Sequence, residues 1–301
     1  MNSFGEKWTF TSFGESHGAA IGGVLDGVPA GLPIDFAMIR EELERRAGRG
    51  AVGASARAKN EPDEVEWLSG VMDGVTLGTP IAFIIRNKDA RPEDYEWLKH
   101  NYRIGHADKV YERKYGIRDW RGGGRASARE TAARVVAGCI AKQELAAKGV
   151  HIHAELVQVG AETDATKFAD TIAAYQREGD SIGGIIECRI QGLPVGTGEP
   201  IFDKLQAHLA YAVMSINACK GFEYGTGFGG VTQAGSAINA ISGGIAGGIS
   251  DGTEIVFRCV FKPTPSTPKA GVKGRHDACV AVRAVPVVEA MSALAIINLL
   301  K

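Results

Sequence analysis

The feature that most constrains this chain is the stretch RGGGRASARE at positions 121–130, which joins three consecutive glycines to the start of a long helix. Between Ser127 and Lys148 apolar residues recur at helical spacing, which predicts a helix with one apolar face. That face comprises Ala132, Val135, Val136, Cys139, Ile140 and Leu145. The sequence therefore predicts a long, one-sided helix directly behind a glycine loop.

The residues around these glycines indicate an anion site. Ser127 and Glu130 form the S-x-x-E pattern of a capping box, which predicts that the helix starts at Ser127 with its free N–H groups facing the glycines. Arg121, Arg125 and Arg129 add full positive charges to the partial charge of the helix end. A glycine turn with solvated arginines is the alternative. An RNA-binding tail rich in Arg-Gly-Gly fits less well, because such tails are repetitive and do not open a helix.

Overall charge and composition exclude some partners. The net charge is −1 and the pI about 6.7, so no global field attracts nucleic acid or a membrane, and ligand-binding cations have to form local clusters. Glycine is unusually frequent, at 40 of 301 residues, as expected for many tight turns or close approaches to a ligand. Aromatic residues are only 7% and are absent from the arginine loops, which argues against a nucleic-acid-binding protein.

The cysteines and the apolar runs predict a soluble cytoplasmic protein. No apolar run reaches the roughly 18 residues of a membrane span, and the N-terminus has no signal-peptide pattern. The cysteines are odd in number, widely spaced and without metal-ligand spacing, so we expect reduced, buried thiols and no metal site. They are Cys139, Cys188, Cys219, Cys259 and Cys279.

Helices and short β-branched strands alternate along the chain. Further helices are predicted at 36–46, with Asp35 as N-cap, and at 165–178, 203–215 and 285–300. Strands are predicted at 22–27, 81–85, 152–160, 182–192 and 254–262. Neither a repeat nor a linker interrupts the pattern. We therefore expect a single α/β or α+β domain over residues 1–301.

A second glycine-flanked loop, GESHG at 14–18, contains Ser16 and His17. A histidine in such a loop is accessible and titrates near neutral pH, which suits acid–base chemistry. A structural histidine is the alternative. We do not expect a Ser–His hydrolase dyad, because adjacent side chains in one loop rarely reach each other in the geometry required.

Six further stretches are rich in glycine or in basic residues. Each alone is weak, because basic loops are usually solvated, but together they favour one large polyanion site that contains histidines. The stretches are ELERRAGRG (42–50), with its arginines expected in a loop, RIGHAD (103–108), SINACKG (215–221), SGGIAGGISDG (242–252), FKPTPS (261–266) and KGRHDACVAVRAVPVVEA (273–290).

Three of these regions carry a family resemblance. GESHGAAIGGVLDGVPAG (14–31), GGGRASARET (122–131) and GRHDACVAVRAVPVVEAM (274–291) closely resemble the three signature regions of chorismate synthases, in the same order. The resemblance implies an α+β fold, a β-α-β sandwich with helices between antiparallel sheets, and a cytoplasmic homotetramer. It also implies a lyase that converts 5-enolpyruvylshikimate 3-phosphate to chorismate and phosphate by anti 1,4-elimination. That reaction is the last common step of the shikimate pathway to aromatic amino acids, and it requires reduced FMN.

The resemblance also implies roles for individual residues. His17 would protonate the departing phosphate, His106 would lie beside the flavin, and Asp277, paired with Ser16, would accept a proton from it. The implied ligands of the substrate anions are Arg46, Arg103, Arg129 and Arg275. Arg275 is also assigned to the flavin, and Arg57 is the best match for one further basic residue of the substrate site. The implied FMN-binding residues are Arg125, Ala126, Ser127, Asn217, Ala218, Gly247, Lys262, Pro263, Thr264, Pro265 and Ser266.

The chain departs from the family in several places. Ala47, Ile104 and Ala278 replace residues usual in the family, and the chain is several dozen residues shorter, mostly near 160–180, 235–244 and 265–275. We expect loop residues to be missing from the sequence rather than from the protein, because the framework on both sides is intact. No G-x-G-x-x-G pattern that follows a predicted strand and opens a predicted helix marks a nicotinamide site, and the insertions of family members that reduce their own flavin with NADPH are absent. We therefore expect an external flavin reductant rather than a self-reducing redox enzyme.

Overall fold

A computed structural model describes residues 1–238, 242–272 and 276–300 of the chain. The β-strands are β1 (Ser3–Phe4), β2 (Thr9–Phe13), β3 (Ala20–Asp26), β4 (Val65–Ser69), β5 (Val71–Met72), β6 (Val75–Thr76), β7 (Ile81–Arg86), β8 (His151–Val159), β9 (Gly184–Gln191), β10 (Cys219–Tyr224), β11 (Ile245–Ala246), β12 (Ile249–Ser250) and β13 (Ile255–Phe261). The α-helices are α1 (Phe36–Ala47), α2 (Ala56–Asn60), α3 (Asp108–Tyr115), α4 (Thr131–Ala147), α5 (Phe168–Arg177), α6 (Leu205–Met214), α7 (Gly235–Ile238) and α8 (Ala281–Leu299).

Two antiparallel sheets form the outer layers. One has the order β1-β2-β3-β7-β4 and the other β10-β13-β9-β8. Their strands alternate between buried and more exposed residues, as the period of two requires. In β13, for example, Phe257 and Cys259 face inward, and they pair in register with Cys188 and Ile186 of β9.

Helices fill the space between the sheets. Helix α4 contacts β2 and β3 of the first sheet and β8 of the second, and α8 packs along α4 and against β8 and β9. The two helices approach closely at Gly138, where a Cβ atom would overlap Ala290. The α+β sandwich with a central helical layer is therefore confirmed. Helix α8 is long and apolar enough to cross a membrane, but 78% of its most apolar window is buried inside the protein, as in a core helix.

Most of the predicted elements are present with shifted ends. The structure has the predicted strands as β3, β7, β8, β9 and β13, and the predicted helices as α1, α4, α5, α6 and α8. Asp35 caps α1, since its side chain accepts a hydrogen bond from the Met38 N–H at 3.0 Å. The expected apolar face of α4 is fully buried.

Two local expectations are wrong. Ser127 caps a 3-10 turn over Ala128–Glu130, and Glu130 pairs with Arg134 instead of completing the capping box. Arg45 and Arg46 lie in the last turn of α1 rather than in a loop. The expectation that loop residues are missing from the sequence stays a prediction, since two of the three short regions, 235–244 and 265–275, include residues outside the described ones.

Candidate functional site

Loops from distant parts of the chain converge on a cavity of about 400 Å³. Its walls come from the region of His17, the end of α1 and the segment around α2, the 95–107 segment, the glycine loop before α4, and the start of α8. Of the sequence-predicted residues, those on the walls are His17, Arg46, Arg57, Arg103, His106, Ala126, Ser127, Arg129, Asn217, Ala218, Lys262, Thr264, Pro265, Ser266 and Asp277.

The glycine loop brings backbone directly against two histidines. A Cβ atom on Gly122 would overlap the ring of His17, and one on Gly123 would lie 3.0 Å from Cε1 of His106. Gly122 also has φ +70°, which a side chain would strain. The glycines are therefore needed for close approach to the histidines that line the cavity.

His17 is 5% exposed and held from three sides. Ser16 Oγ lies 3.1 Å from its Nδ1, so these adjacent side chains are in contact, and the absence of a hydrolase dyad stays a prediction. Arg57 Nη1 lies 3.1 Å from Nε2 and 3.2 Å from Nδ1, and the Tyr95 ring packs edge-on with a centroid separation of 4.7 Å. A guanidinium can only donate hydrogen bonds, so a ring nitrogen of His17 that bonds Arg57 acts as an acceptor.

His106 forms a second hydrogen-bonded group with Arg103 and Asp108. Asp108 Oδ1 lies 2.8 Å from His106 Nδ1 and 2.8 Å from Arg103 Nη2, and Arg103 Nε donates to Asp108 Oδ2 at 2.9 Å. Burial opposes the charge on Asp108, but the bonds from Arg103 and His106 outweigh it and hold its pKa far below the usual range. Nδ1 of His106 therefore faces both Asp108 Oδ1 and, at 3.1 Å, Arg103 Nη2, and Nε2 is the ring nitrogen that neither of them occupies.

Arg46 and Arg129 share one buried carboxylate. Asp63 Oδ2 lies 2.9 Å from Arg46 Nη2, and its Oδ1 contacts Arg129 Nη1. Burial lowers the pKa of Arg46 to about 10, against the raising effect of Asp63, so the side chain stays charged at neutral pH. Burial raises the pKa of Asp63, but the two arginines outweigh it and the net direction is downward.

Asp277 is held differently from the family-based expectation. Its Oδ1 accepts from the Ser55 N–H at 2.8 Å and its Oδ2 accepts from Arg283 Nη1 at 2.7 Å. Ser16 instead bonds His17, so the expected Ser16–Asp277 pair is not present. Sequence reasoning missed Arg283, although an arginine within the apolar run VAVRAVPVV was a usable signal.

The expected FMN-binding residues form most of one cavity wall. Asn217 Nδ2 donates to the Ala126 carbonyl at 3.0 Å, which ties two of these segments together. Asn217 Oδ1 and Ser266 Oγ are buried and, in the part of the chain that the structure describes, have no hydrogen-bond partner. Unpartnered buried polar atoms are uncommon, so these two fit a polar ligand such as a flavin.

Other predicted residues lie apart from this wall. Arg125 donates to the Gly14 carbonyl at 3.2 Å and contacts Ser12, and it lines a neighbouring cavity of about 540 Å³. Gly247 lies between β11 and β12, and neither it nor Pro263 is part of the cavity wall. Arg275 is outside the described residues, and a flavin role for these residues stays a prediction.

The cavity carries a surplus of positive charge. Among the described residues, six cationic side chains line it, and four carboxylates pair with five of them. The cations are Arg46, Arg57, Arg103, Arg129, Lys262 and Arg283, and the carboxylates are Glu61, Asp63, Asp108 and Asp277. Fold and site together define an α+β protein with a histidine-containing cavity that is lined by more cations than the carboxylates paired with them.

Comparison with known proteins identifies the family. The family model described as chorismate synthase matches residues 8–300, so the chain belongs to the chorismate synthase family. The chorismate synthase of Christiangramia forsetii is 46% identical, covering 97% of this chain and 95% of its own. That of Phocaeicola vulgatus is 44% identical, covering 99% and 97%. A crystal structure of a chorismate synthase superposes with a TM-score of 0.78 at 30% identity, covering 98% of this chain and 92% of the other.

The alignments also locate a difference in length. The match to the Christiangramia forsetii protein extends over 341 aligned positions, although this chain has only 301 residues. The relatives therefore have segments that this chain lacks.

Proposed function

We propose that the chain converts 5-enolpyruvylshikimate 3-phosphate to chorismate and phosphate by anti 1,4-elimination, with reduced FMN as cofactor. The observation that carries the proposal is the surplus of cationic side chains around a cavity of small-molecule size in a chain of this family. The substrate has a phosphate and two carboxylates, and FMN adds a second phosphate. Two such polyanions need local cations in a protein whose net charge is only −1.

The arginines would bind and align the substrate anions. Arg46, Arg103 and Arg129 are each held by a buried carboxylate behind them, so their positions are set before a ligand arrives. Arg57 and Arg275, the latter predicted from the sequence alone, complete the set. Preset donors lower the entropic cost of aligning the leaving phosphate with the hydrogen that is removed.

The two histidines and Asp277 would handle protons. His17, between Arg57 and Ser16, would take up a proton when the phosphate dianion binds beside it and deliver it to the departing phosphate. His106 would present Nε2 toward the flavin, since Asp108 occupies Nδ1. Asp277 would accept a proton, with Arg283 and the Ser55 N–H holding its carboxylate.

Reduced FMN, when bound, supplies electron density that assists the loss of phosphate. The residues that would hold it on the cavity wall are Ala126, Ser127, Asn217, Ala218, Lys262, Thr264, Pro265 and Ser266. Arg125, Gly247, Pro263 and Arg275 belong to the predicted set from sequence alone. Asn217 Oδ1 and Ser266 Oγ, for which the described residues provide no hydrogen-bond partner, support this assignment.

The test is anaerobic turnover of 5-enolpyruvylshikimate 3-phosphate with chemically reduced FMN, following phosphate release and chorismate absorbance. We expect chorismate with reduced FMN and none with oxidised FMN, and large losses in His17→Ala, His106→Ala and Asp277→Ala. Each proton-transfer group is expected to contribute on the order of 10²–10⁴-fold. FMN binding without chorismate would overturn the proposal.

The finer properties of the enzyme follow from the same resemblance. We propose an external reductant for the flavin, a homotetramer and a cytoplasmic location. Anaerobic incubation with NADPH alone tests the first of these, since chorismate formed without an added reductase or dithionite would contradict it. Sedimentation of the full chain tests the second.

A further inference from the structure

We propose that Asp63 is a positioning residue: its single carboxylate fixes Arg46 and Arg129 as a preset pair of anion donors and so sets the affinity for the anionic part of the substrate. This inference rests on the proposed function and adds a residue to it. Asp63 ends the segment 45–63, in which one basic residue of the family pattern has only Arg57 as its best match.

The contacts join three separate elements at one carboxylate. Arg46 comes from the last turn of α1, Arg129 from the turn ahead of α4, and Asp63 from the segment after α2. Asp63 Oδ2 lies 2.9 Å from Arg46 Nη2, and Oδ1 contacts Arg129 Nη1. All three side chains are at least nine-tenths buried. One carboxylate therefore bridges two guanidinium groups that come from separate elements of the fold.

Arg129 and Arg46 each donate further hydrogen bonds besides those to Asp63. Arg129 Nε donates to Asn87 Oδ1 at 2.9 Å, and Arg46 Nη1 donates to the Ala128 carbonyl at 3.3 Å. Arg46 Nε is buried without a partner among the described residues, although Arg46 lines the cavity. A buried donor left unpaired beside a cavity is accounted for by an anion that binds there.

The backbone at Asp63 has an uncommon conformation. Asp63 follows Pro62 and has φ +52°, in the left-handed region that aspartate and asparagine tolerate better than most residues with a side chain. This conformation accompanies a carboxylate that is turned inward between the two arginines.

The charge count separates positioning from simple neutralisation. Two guanidinium groups and one carboxylate leave one positive charge in the group of Arg46, Asp63 and Arg129. Removing the carboxylate charge raises the positive potential at the cavity. If charge alone governed binding, the loss of Asp63 would tighten the binding of anions. If Asp63 positions the arginines, its loss weakens binding, because the donors are no longer preset. The two roles therefore predict changes in affinity of opposite sign.

The test compares Asp63→Asn with wild type in the full chain, measuring by calorimetry the affinity for 5-enolpyruvylshikimate 3-phosphate and for inorganic phosphate. Asparagine tolerates the left-handed backbone and keeps the shape while removing the charge. We expect both ligands to bind on the order of 10- to 100-fold more weakly, as for the loss of charged hydrogen bonds. In steady-state assays KM should rise by more than kcat falls.

Two matched variants separate positioning by Asp63 from a general effect of lost charge. Glu66→Gln, in an exposed ion pair with Arg86 on β4 and β7, removes the same type of charge away from the cavity and should leave both affinities unchanged. Asp63→Glu keeps the charge but displaces it by one methylene group, so it should also weaken binding. It serves as the second test if Asp63→Asn does not fold.

Several results would overturn the inference. Unchanged or tighter binding in a folded Asp63→Asn protein would do so, and so would unfolding of both Asp63 variants, which would make Asp63 a folding residue. If the wild type binds phosphate but makes no chorismate, the proposed function fails while the phosphate measurement still tests Asp63. If the wild type makes chorismate and Asp63→Asn binds as tightly as wild type, only the Asp63 inference fails.

Discussion

Two neighbouring arginines at the end of α1 join charge clusters around two different buried carboxylates: Arg45, which is 40% exposed, pairs with Glu289, and Arg46, which is 1% exposed, pairs with Asp63. Arg45 joins Glu42, Lys142 and Glu289 among α1, α4 and α8, which we call the helix-layer cluster. Arg46 joins Asp63 and Arg129 at the cavity, which we call the cavity cluster. Arg45 and Arg46 are adjacent in α1 and have the same side chain, yet they belong to different clusters.

The clusters differ in charge balance. The helix-layer cluster has two cations and two carboxylates, and Glu289 Oε1 also accepts from the Ala154 N–H at 2.9 Å. The cavity cluster has two cations and one carboxylate, and Arg46 Nε lacks a partner among the described residues. Buried charges are tolerated when they are paired, so the unbalanced cluster is the one with the capacity to bind an anion.

The pKa directions of the two arginines follow this difference. Burial acts to lower both, but Glu289 and Glu42 outweigh it and raise the pKa of Arg45. For Arg46, burial dominates, Asp63 only partly opposes it, and the neighbouring Arg283 and Arg129 add repulsion. Its pKa falls to about 10. The comparison teaches that a balanced cluster stabilises its own cations, whereas the cavity cluster holds Arg46 charged at a cost that a bound anion would offset.

The largest expected effect comes from breaking the balanced cluster. Glu289→Gln leaves Arg45 and Lys142 with one carboxylate between them inside the helical layer, so we expect a loss of about 3–5 kcal/mol in the free energy of unfolding. Urea denaturation measures it. Glu66→Gln, in its exposed ion pair, is the control and should cause no measurable change. Equal, small effects of both substitutions would show that balance in the buried cluster does not matter.

A substitution at the cavity should affect activity more than stability. In Gly122→Ala the new Cβ atom would displace the His17 ring, and a shift of about 1 Å in a catalytic group costs on the order of 10²-fold in kcat/KM. Gly116→Ala is the matched control, since Gly116 has φ +77° and open space around it. Both variants carry the left-handed backbone strain, so similar activities would refute the role of close approach at Gly122.

Much of the fold was predictable because it depends on local periodicity. The strands β9 and β13 alternate buried and less buried residues, and the apolar face of α4 has helical spacing. The strands β1, β2, β4 and β10 were missed, because they are short or lack a clear alternation. Periodicity identifies a buried face, but pairing across a sheet determines whether a weak segment becomes a strand.

The residues that line the cavity were more predictable from the sequence than the carboxylates that pair with them. Glycine and basic residues in RGGGRASARE and RIGHAD pointed to a polyanion cavity, and residues from both stretches lie on its walls. Which carboxylate holds which arginine could not be predicted. Arg45 pairs with Glu289, far along the chain, while Arg46 pairs with Asp63. Adjacent positions on a helix differ by about 100° in direction, and only the packed structure decides what each side chain meets.

Lowering the pH should reduce the contribution of both clusters to the free energy of unfolding. The folded-state pKa values of Asp63 and Glu289 are lowered, so their stabilising contribution is present above the unfolded pKa values of about 3.9 and 4.3 and is lost as pH falls below them. We expect the stability difference between wild type and Glu289→Gln to shrink by about 1–2 kcal/mol between pH 5 and pH 3. Urea midpoints across this range measure it. A difference that grows on acidification would contradict the assigned direction of the pKa of Glu289.

The smallest expected effect comes from the other end of the helix that carries both arginines. Asp35 caps α1, and Asp35→Ala should lower the free energy of unfolding by about 1 kcal/mol, whereas Asp35→Asn keeps a capping side chain and should be nearly neutral. Arg45 and Arg46 lie about 15 Å further along α1, where each is fixed by its own cluster. Because those contacts do not depend on the first turn, kcat and KM of folded Asp35→Ala should match wild type. If the loss of kcat/KM in folded Asp35→Ala, expressed as a free energy, exceeds the loss in the free energy of unfolding, the two clusters do not hold the end of α1 independently of its start.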